Sequence, residues 1–178
     1  QLNITDFTNT NGIYLNFATD FTIIKEMLTA KVLFGDNLEN ARRSTYIPSY
    51  IYFDQMYKSR GNLSTSGREN KTLEAIMTFK KEFGSFMNFD AVIGLGKYIN
   101  KTDGMNTAYN IQNDAIANDN LATITVVITP GSYLTKDEKR SQFVRLNFDI
   151  LDRYIIAGTF RRDGTDKFFP GEKYALFP

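Results

Sequence analysis

Phe143-Val144-Arg145-Leu146-Asn147-Phe148-Asp149-Ile150 is the stretch on which the reading of this chain turns. Val144, Leu146, Phe148 and Ile150 alternate with Phe143, Arg145, Asn147 and Asp149. Successive side chains of a strand point to opposite faces, so the segment reads as a ribbon with one apolar face and one mainly polar face. A short link, Leu151-Asp152-Arg153, leads into a second ribbon: Tyr154, Ile156, Gly158 and Phe160 against Ile155, Ala157, Thr159 and Arg161.

The same rhythm recurs upstream. Ile13, Leu15, Phe17, Phe21 and Ile23 alternate with Tyr14, Asn16, Ala18, Asp20 and Thr22; beyond Lys25-Glu26, Leu28, Ala30, Val32 and Phe34 form the return ribbon. Leu73, Ala75, Met77 and Phe79, then a turn over 81–85, then Met87, Phe89, Ala91, Ile93 and Leu95 make a further pair. Between the pairs lie polar segments, 37–68 and about 100–138, which read as long loops. The second holds an apolar run, Ile124 to Ile128, that Pro130-Gly131 is expected to stop. The connections thus alternate short and long, as in outer-membrane barrels with short periplasmic turns and longer outer loops. Strands of about 9–11 residues suffice to cross the hydrocarbon. A soluble β-sandwich also has strands with one apolar face, but loops of ~30 residues are uncommon in compact domains. The expected fold is all-β: an antiparallel meander of about six strands, part of a large transmembrane β-barrel.

Composition fits. Phe (15) and Tyr (10) favour strands, and there is no Trp. Cys and His are both absent, which removes disulfides, thiolate chemistry, histidine general bases and the usual zinc sites. A formal net charge of +1 gives no reason to expect a nucleic-acid partner. Neither catalysis nor a metal or other cofactor is indicated, and no apolar run is long enough for a transmembrane helix.

The last forty residues add a resemblance. Ser141 to Phe148, then Asp152-Arg153-Tyr154-Ile155-Ile156, then Arg161-Arg162-Asp163-Gly164-Thr165-Asp166-Lys167-Phe168, then Tyr174-Ala175-Leu176-Phe177-Pro178, resemble a signature of SusC/RagA-type TonB-dependent outer-membrane transporters. In that family an Arg-x-Asn-Tyr strand turns through Asp-Lys-Tyr, climbs to Arg-Arg-Asp-Gly-Ser-Ser-Arg-Phe and descends from Tyr-Gly-x-Phe-Pro. Val144, Asp166, Phe169 and Ala175 depart from it without removing a charged residue. The segment from Thr72-Leu73-Glu74 to Lys81-Glu82-Phe83-Gly84 is similar to the family's strand–turn ahead of the second long loop.

The resemblance implies that residues 1–178 are about a quarter of a barrel of about 22 strands, with the plug domain and the remaining strands outside this sequence. It implies import of glycans or similar nutrients across the outer membrane, with a SusD-like surface lipoprotein and TonB as partners of the intact protein. The ligand would be an oligosaccharide or a peptide. The rival from another class is a soluble β-sandwich module that binds carbohydrate.

Two residue sets are candidates for ligand contact. Tyr46, Tyr50, Tyr52 and Tyr57 fall in the first polar segment, where aromatic rings can stack on a ligand or serve as a membrane girdle and packing. Arg161, Arg162 and Asp163 form a strand-end charge cluster, suited either to a ligand at the outer mouth or to a structural role, with Asp163-Gly164 as a turn. Asp20, Glu74, Asp90, Arg145 and Asp149 read as polar lining of a barrel lumen. An isolated piece of such a wall would expose its apolar face and its edges. Self-association, lipid or the Ile124–Ile128 run folding back are the expected covers.

Overall fold

The computed structural model describes residues 4–51, 59–111, 124–169, 171 and 173–178. Seven strands lie among them: β1 Thr5–Ile24, β2 Leu28–Ile47, β3 Ser59–Phe83, β4 Met87–Ile111, β5 Ile124–Ile150, β6 Tyr154–Thr165 and β7 Tyr174–Phe177. They form one sheet in chain order, β1-β2-β3-β4-β5-β6-β7. The expected meander is therefore present, with a seventh strand at the Tyr174-Ala175-Leu176-Phe177 stretch. A sandwich would need two facing sheets, and the described strands make a single one.

The tight turns fall at the short links. Met27 N–H donates to the Ile24 carbonyl at 3.1 Å, Phe86 N–H to Phe83 at 3.2 Å, and Arg153 N–H to Ile150 at 3.1 Å. Gly84 takes a φ of 59° in the second turn, at no side-chain cost. The third turn sets Leu151 and Asp152 at φ 57° and 53°.

The long polar segments are not the loops their composition suggests. β2 runs on to Ile47 and β3 starts at Ser59; β4 runs to Ile111 and β5 starts at Ile124. Strands of 20 to 27 residues exceed what hydrocarbon requires. A ladder needs backbone hydrogen bonds, and it continues where neither face is selected to be apolar. Nor does Pro130-Gly131 stop a strand, since both residues lie inside β5. The β5–β6 ladder ends at Lys139 opposite Thr165, so Pro130 sits beyond it, where its missing N–H breaks no β6 pairing. Ile124 to Ile128 opens β5 in the sheet and does not fold back as a cover.

The chain divides into two compact units. One comprises Tyr14–Asn37, Asn70–Asn100 and Lys136–Pro178. It holds the three turns and the two-faced ribbons. Val144 lies opposite Phe160, Leu146 opposite Gly158, and Phe148 opposite Ile156; Arg145 meets Thr159, Asn147 meets Ala157, and Asp149 meets Ile155. Directly paired residues share a face. The Phe89 ring joins the apolar side, 4.9 Å from Phe148 and 6.1 Å from Phe79. Strand alternation then carries Leu73, Ala75, Met77, Ala91 and Ile93 to that side, as expected. Opposite it, the Phe143 ring covers Gly94, where a β-carbon would fall 2.1 Å from Phe143 Cε1.

The second unit comprises Gln1–Ile13, Leu38–Glu69 and Lys101–Thr135. Its small core is Tyr46 and Tyr109, with Leu63 and Ile124 packed against them. No helix among the described residues is long and apolar enough to cross a membrane, which says nothing of a strand barrel.

Candidate functional site

In the second unit the four tyrosines do not act as one set. Tyr46, near the end of β2, is only 3% exposed. Tyr50 is 60% exposed in the turn closed by Ile51 N–H on the Pro48 carbonyl at 3.1 Å. Tyr52 and Tyr57 lie outside the described residues. Tyr109, buried against Gly61 on β3, is the aromatic residue that sequence reasoning missed. Its signal was the β-carbon-free position facing it, visible only once the register is known. In the same unit Arg43 grips Asp6 with both arms, Nε to Oδ1 at 2.9 Å and Nη2 to Oδ2 at 2.6 Å. That hydrogen bond holds the Asp6 carboxyl below its ordinary value. A cavity of about 420 Å³ is lined mainly by Leu63, Thr65, Met105, Thr107 and Pro130.

In the first unit, alternation splits the Arg161–Asp163 cluster. Arg161 Nε sits 2.9 and 2.7 Å from the two Asp163 oxygens. The neighbour between them, Arg162, points the other way, its guanidinium carbon 4.1 Å from the Tyr174 ring centroid. Asp163-Gly164 is not a turn. Both residues are ladder members, paired to Ser141 and Arg140 on one side and to Ala175 and Tyr174 on the other. The chain turns only after Thr165, so the Asp-Gly signal is overridden by partners on both flanks.

Around this cluster lies a charge network whose carboxylates, Asp137 and Glu138, fall at the end of the polar segment that the sequence reads as a loop. Asn100 Nδ2 donates to Asp137 Oδ2 at 3.0 Å, and Lys167 Nζ lies 3.5 Å from Asp137 Oδ1. Glu138 Oε1 takes Arg140 Nε at 2.7 Å and Lys97 Nζ at 3.4 Å. The Tyr98 hydroxyl donates to Glu74 Oε1 at 2.7 Å, one of the expected lumen carboxylates. A cavity of about 290 Å³ adjoins Tyr98, Ser141, Arg161, Asp163, Phe168 and Phe177. Among the described residues no group of three or more His, Cys, Asp or Glu could hold a metal ion.

A chain-order antiparallel sheet whose hairpin unit carries an apolar face and a polar face is the construction of a β-barrel wall. The comparisons then narrow the class. The chain is 28% identical over 164 residues, 92% of its length, to TonB-dependent receptor P3 of Formosa agariphila. Its fold matches the solved RagAB peptide transporter with a TM-score of 0.89 over 97% of the chain at 16% identity. The RagAB peptide importer in the open-open state gives 0.87 at 18% identity over 98% of the chain. At those identities the structures speak for the fold alone. The chain spans 16% of the length of the Formosa receptor and 19% of the RagAB chains. No family model matches the chain. The expected resemblance thus holds as far as the chain is similar in sequence to one stretch of a TonB-dependent receptor and in fold to one stretch of the RagAB transporter.

Proposed function

We propose that residues 1–178 are a segment of barrel wall in an outer-membrane receptor that imports a nutrient by TonB-dependent transport. The observation that carries this is the 28% identity of 92% of this chain to a stretch of TonB-dependent receptor P3, on a sheet whose strand order and fold are those of a barrel wall. The role of the chain is mechanical and selective rather than catalytic. Its apolar face, with Leu146, Phe148, Ile93 and Ile156, meets lipid. Its opposite face, with Arg145, Asn147, Asp149 and Glu74, lines the lumen around a plug supplied by another part of the protein.

The cargo is an oligosaccharide or a peptide; the RagAB relatives are peptide transporters. A SusD-like lipoprotein as lid and TonB as energy source complete the assembly. Tyr50, exposed beyond β2, and the Arg161–Asp163 pair are the residues of this chain offered to ligand. The polar network around Asp137 and Glu138 keeps the strands paired beyond the lipid. Closure with the neighbouring strands of the same barrel covers the edges of β1 and β7, which an isolated piece would leave to self-association. The test is uptake of labelled oligosaccharides and peptides by cells carrying the full-length receptor. Accumulation that requires both the receptor and TonB supports the reading; uptake that persists without TonB overturns it.

A further inference from the structure

We infer that the corner formed by Arg140, Arg162, Lys173 and Tyr174 is a binding site for the phosphorylated, net-anionic headgroup of an outer-leaflet lipid. The inference rests on the reading of the apolar face as lipid-facing. Its starting point is the register. Arg140 pairs with Gly164, Gln142 with Arg162 and Val144 with Phe160, while Arg162 pairs with Leu176 and Gly164 with Tyr174. Alternation therefore puts Arg140, Arg162 and Tyr174 on the face of Val144, Phe160 and Leu176, not on the lumen side.

On β6 the change is abrupt. Phe160 is the last residue of the apolar stripe, and Arg162 follows it on the same face, about 7 Å further along the strand. That step marks where hydrocarbon gives way to headgroups. Tyr174, a ring with a polar tip, suits the same level. Its ring fills the space over Gly164, where a β-carbon would fall 2.4 Å from Tyr174 Cε1. The ring in turn carries the Arg162 guanidinium.

Beside the ring lies a cavity of about 290 Å³, lined by Glu138, Arg140, Thr165, Asp166 and Lys173 among others. The charge balance favours an anion. Lys97 and Arg140 share the single carboxylate of Glu138. Asp166 Oδ1 is occupied by the Glu138 backbone N–H at 2.9 Å. Among the described residues, four cations, Lys97, Arg140, Arg162 and Lys173, thus stand against two carboxylates, Glu138 and Asp166. A free phosphate would use only these charges. A lipid uses them together with Leu176 beside Arg162 and the apolar pair Val144 and Phe160 one step further along the face, which is why a lipid is the occupant.

The test uses the full-length receptor in neutral detergent, titrated with fluorescent phosphatidic acid and, separately, with phosphatidylcholine. Replacing Arg140, Arg162 and Lys173 together by Gln should weaken phosphatidic acid binding roughly a hundredfold, about fivefold per cation. Arg162→Lys should retain most of the binding, and Arg162→Gln and Lys173→Gln singly should each show their fivefold share if the triple variant does not fold. Altered gel migration before and after heating verifies the folded barrel. Binding of the folded variants within about twofold of the parent, equal binding of phosphatidylcholine, or full displacement by millimolar inorganic phosphate would each overturn the site. A nitroxide at Ile156 separates this from failure of the face itself: oxygen accessibility signifies lipid, nickel-chelate accessibility water.

Discussion

The Tyr109 ring occupies the space a side chain at position 61 would need: a β-carbon on Gly61 would fall 2.3 Å from Tyr109 Cε2. Tyr109 is 1% exposed and shares its small core with Tyr46. Gly61→Ala must therefore push the ring out of place, and overpacking of this kind costs about 1–3 kcal/mol. Denaturant unfolding of the full-length receptor should show that loss. The loss should shrink when Tyr109 is already Ala, since the two sites share one contact. Equal losses in both backgrounds would mean that the ring is not what Gly61 accommodates.

Ile93 lies on the apolar face, by alternation from Phe89 and its contact with Phe148. If it sits near the bilayer midplane, Ile93→Arg should destabilise the receptor by roughly 2–4 kcal/mol in a membrane folding assay. Asn147→Arg, on the opposite face beside Ala157, should cost far less. A neutral Ile93→Arg would contradict the assignment.

How much of this was legible in the sequence depended on what selects each residue. Where one face is apolar and the other mainly polar, as from Val144 to Ile150 and from Tyr154 to Phe160, every second residue is constrained, and strand, face and turn could all be read. Beyond that zone the ladder of β2, β3, β4 and β5 continues without an apolar face to impose a period. Side chains such as Arg42, Arg43, Asn62 and Lys101 carry no period, so those lengths read as loop. Pro130 and Asp163-Gly164 misled for a related reason: their local preferences are real, but the neighbouring strand decides. Of the candidate residues, the sequence could name Tyr46 and Tyr50 but could not show that one is packed and the other exposed. Arg161 and Arg162 were read as one cluster, although alternation alone already assigns them to different faces.

The same reasoning yields a prediction for hydrogen exchange. Residues 38–47, 59–69 and 101–111 belong to strands despite their polar composition. Their amides should exchange slowly in the full-length receptor, as ladder members do. Exchange at the rate of free loops across all three stretches would contradict the long strands.

Arg161 and Arg162 should respond differently to substitution. Arg161→Ala removes an exposed partner of Asp163 on the lumen side and should change stability by no more than about 1 kcal/mol. If the pair touches cargo, its effect appears in uptake instead. Arg162→Ala should leave uptake unchanged, because its side chain lies with Tyr174 on the other face. Parallel uptake and unfolding measurements on both variants check the split; identical behaviour of the two would count against it.

The central claim is that one face of this sheet meets lipid and the other a watery lumen. Single cysteines placed in turn at 144–150 and 154–160 of the full-length receptor, in intact outer membranes, test it most directly with a water-soluble maleimide. The account predicts a period of two: 144, 146, 148, 156, 158 and 160 protected, and 145, 147, 149, 157 and 159 reactive. Uniform reactivity, or protection that does not alternate, would contradict it.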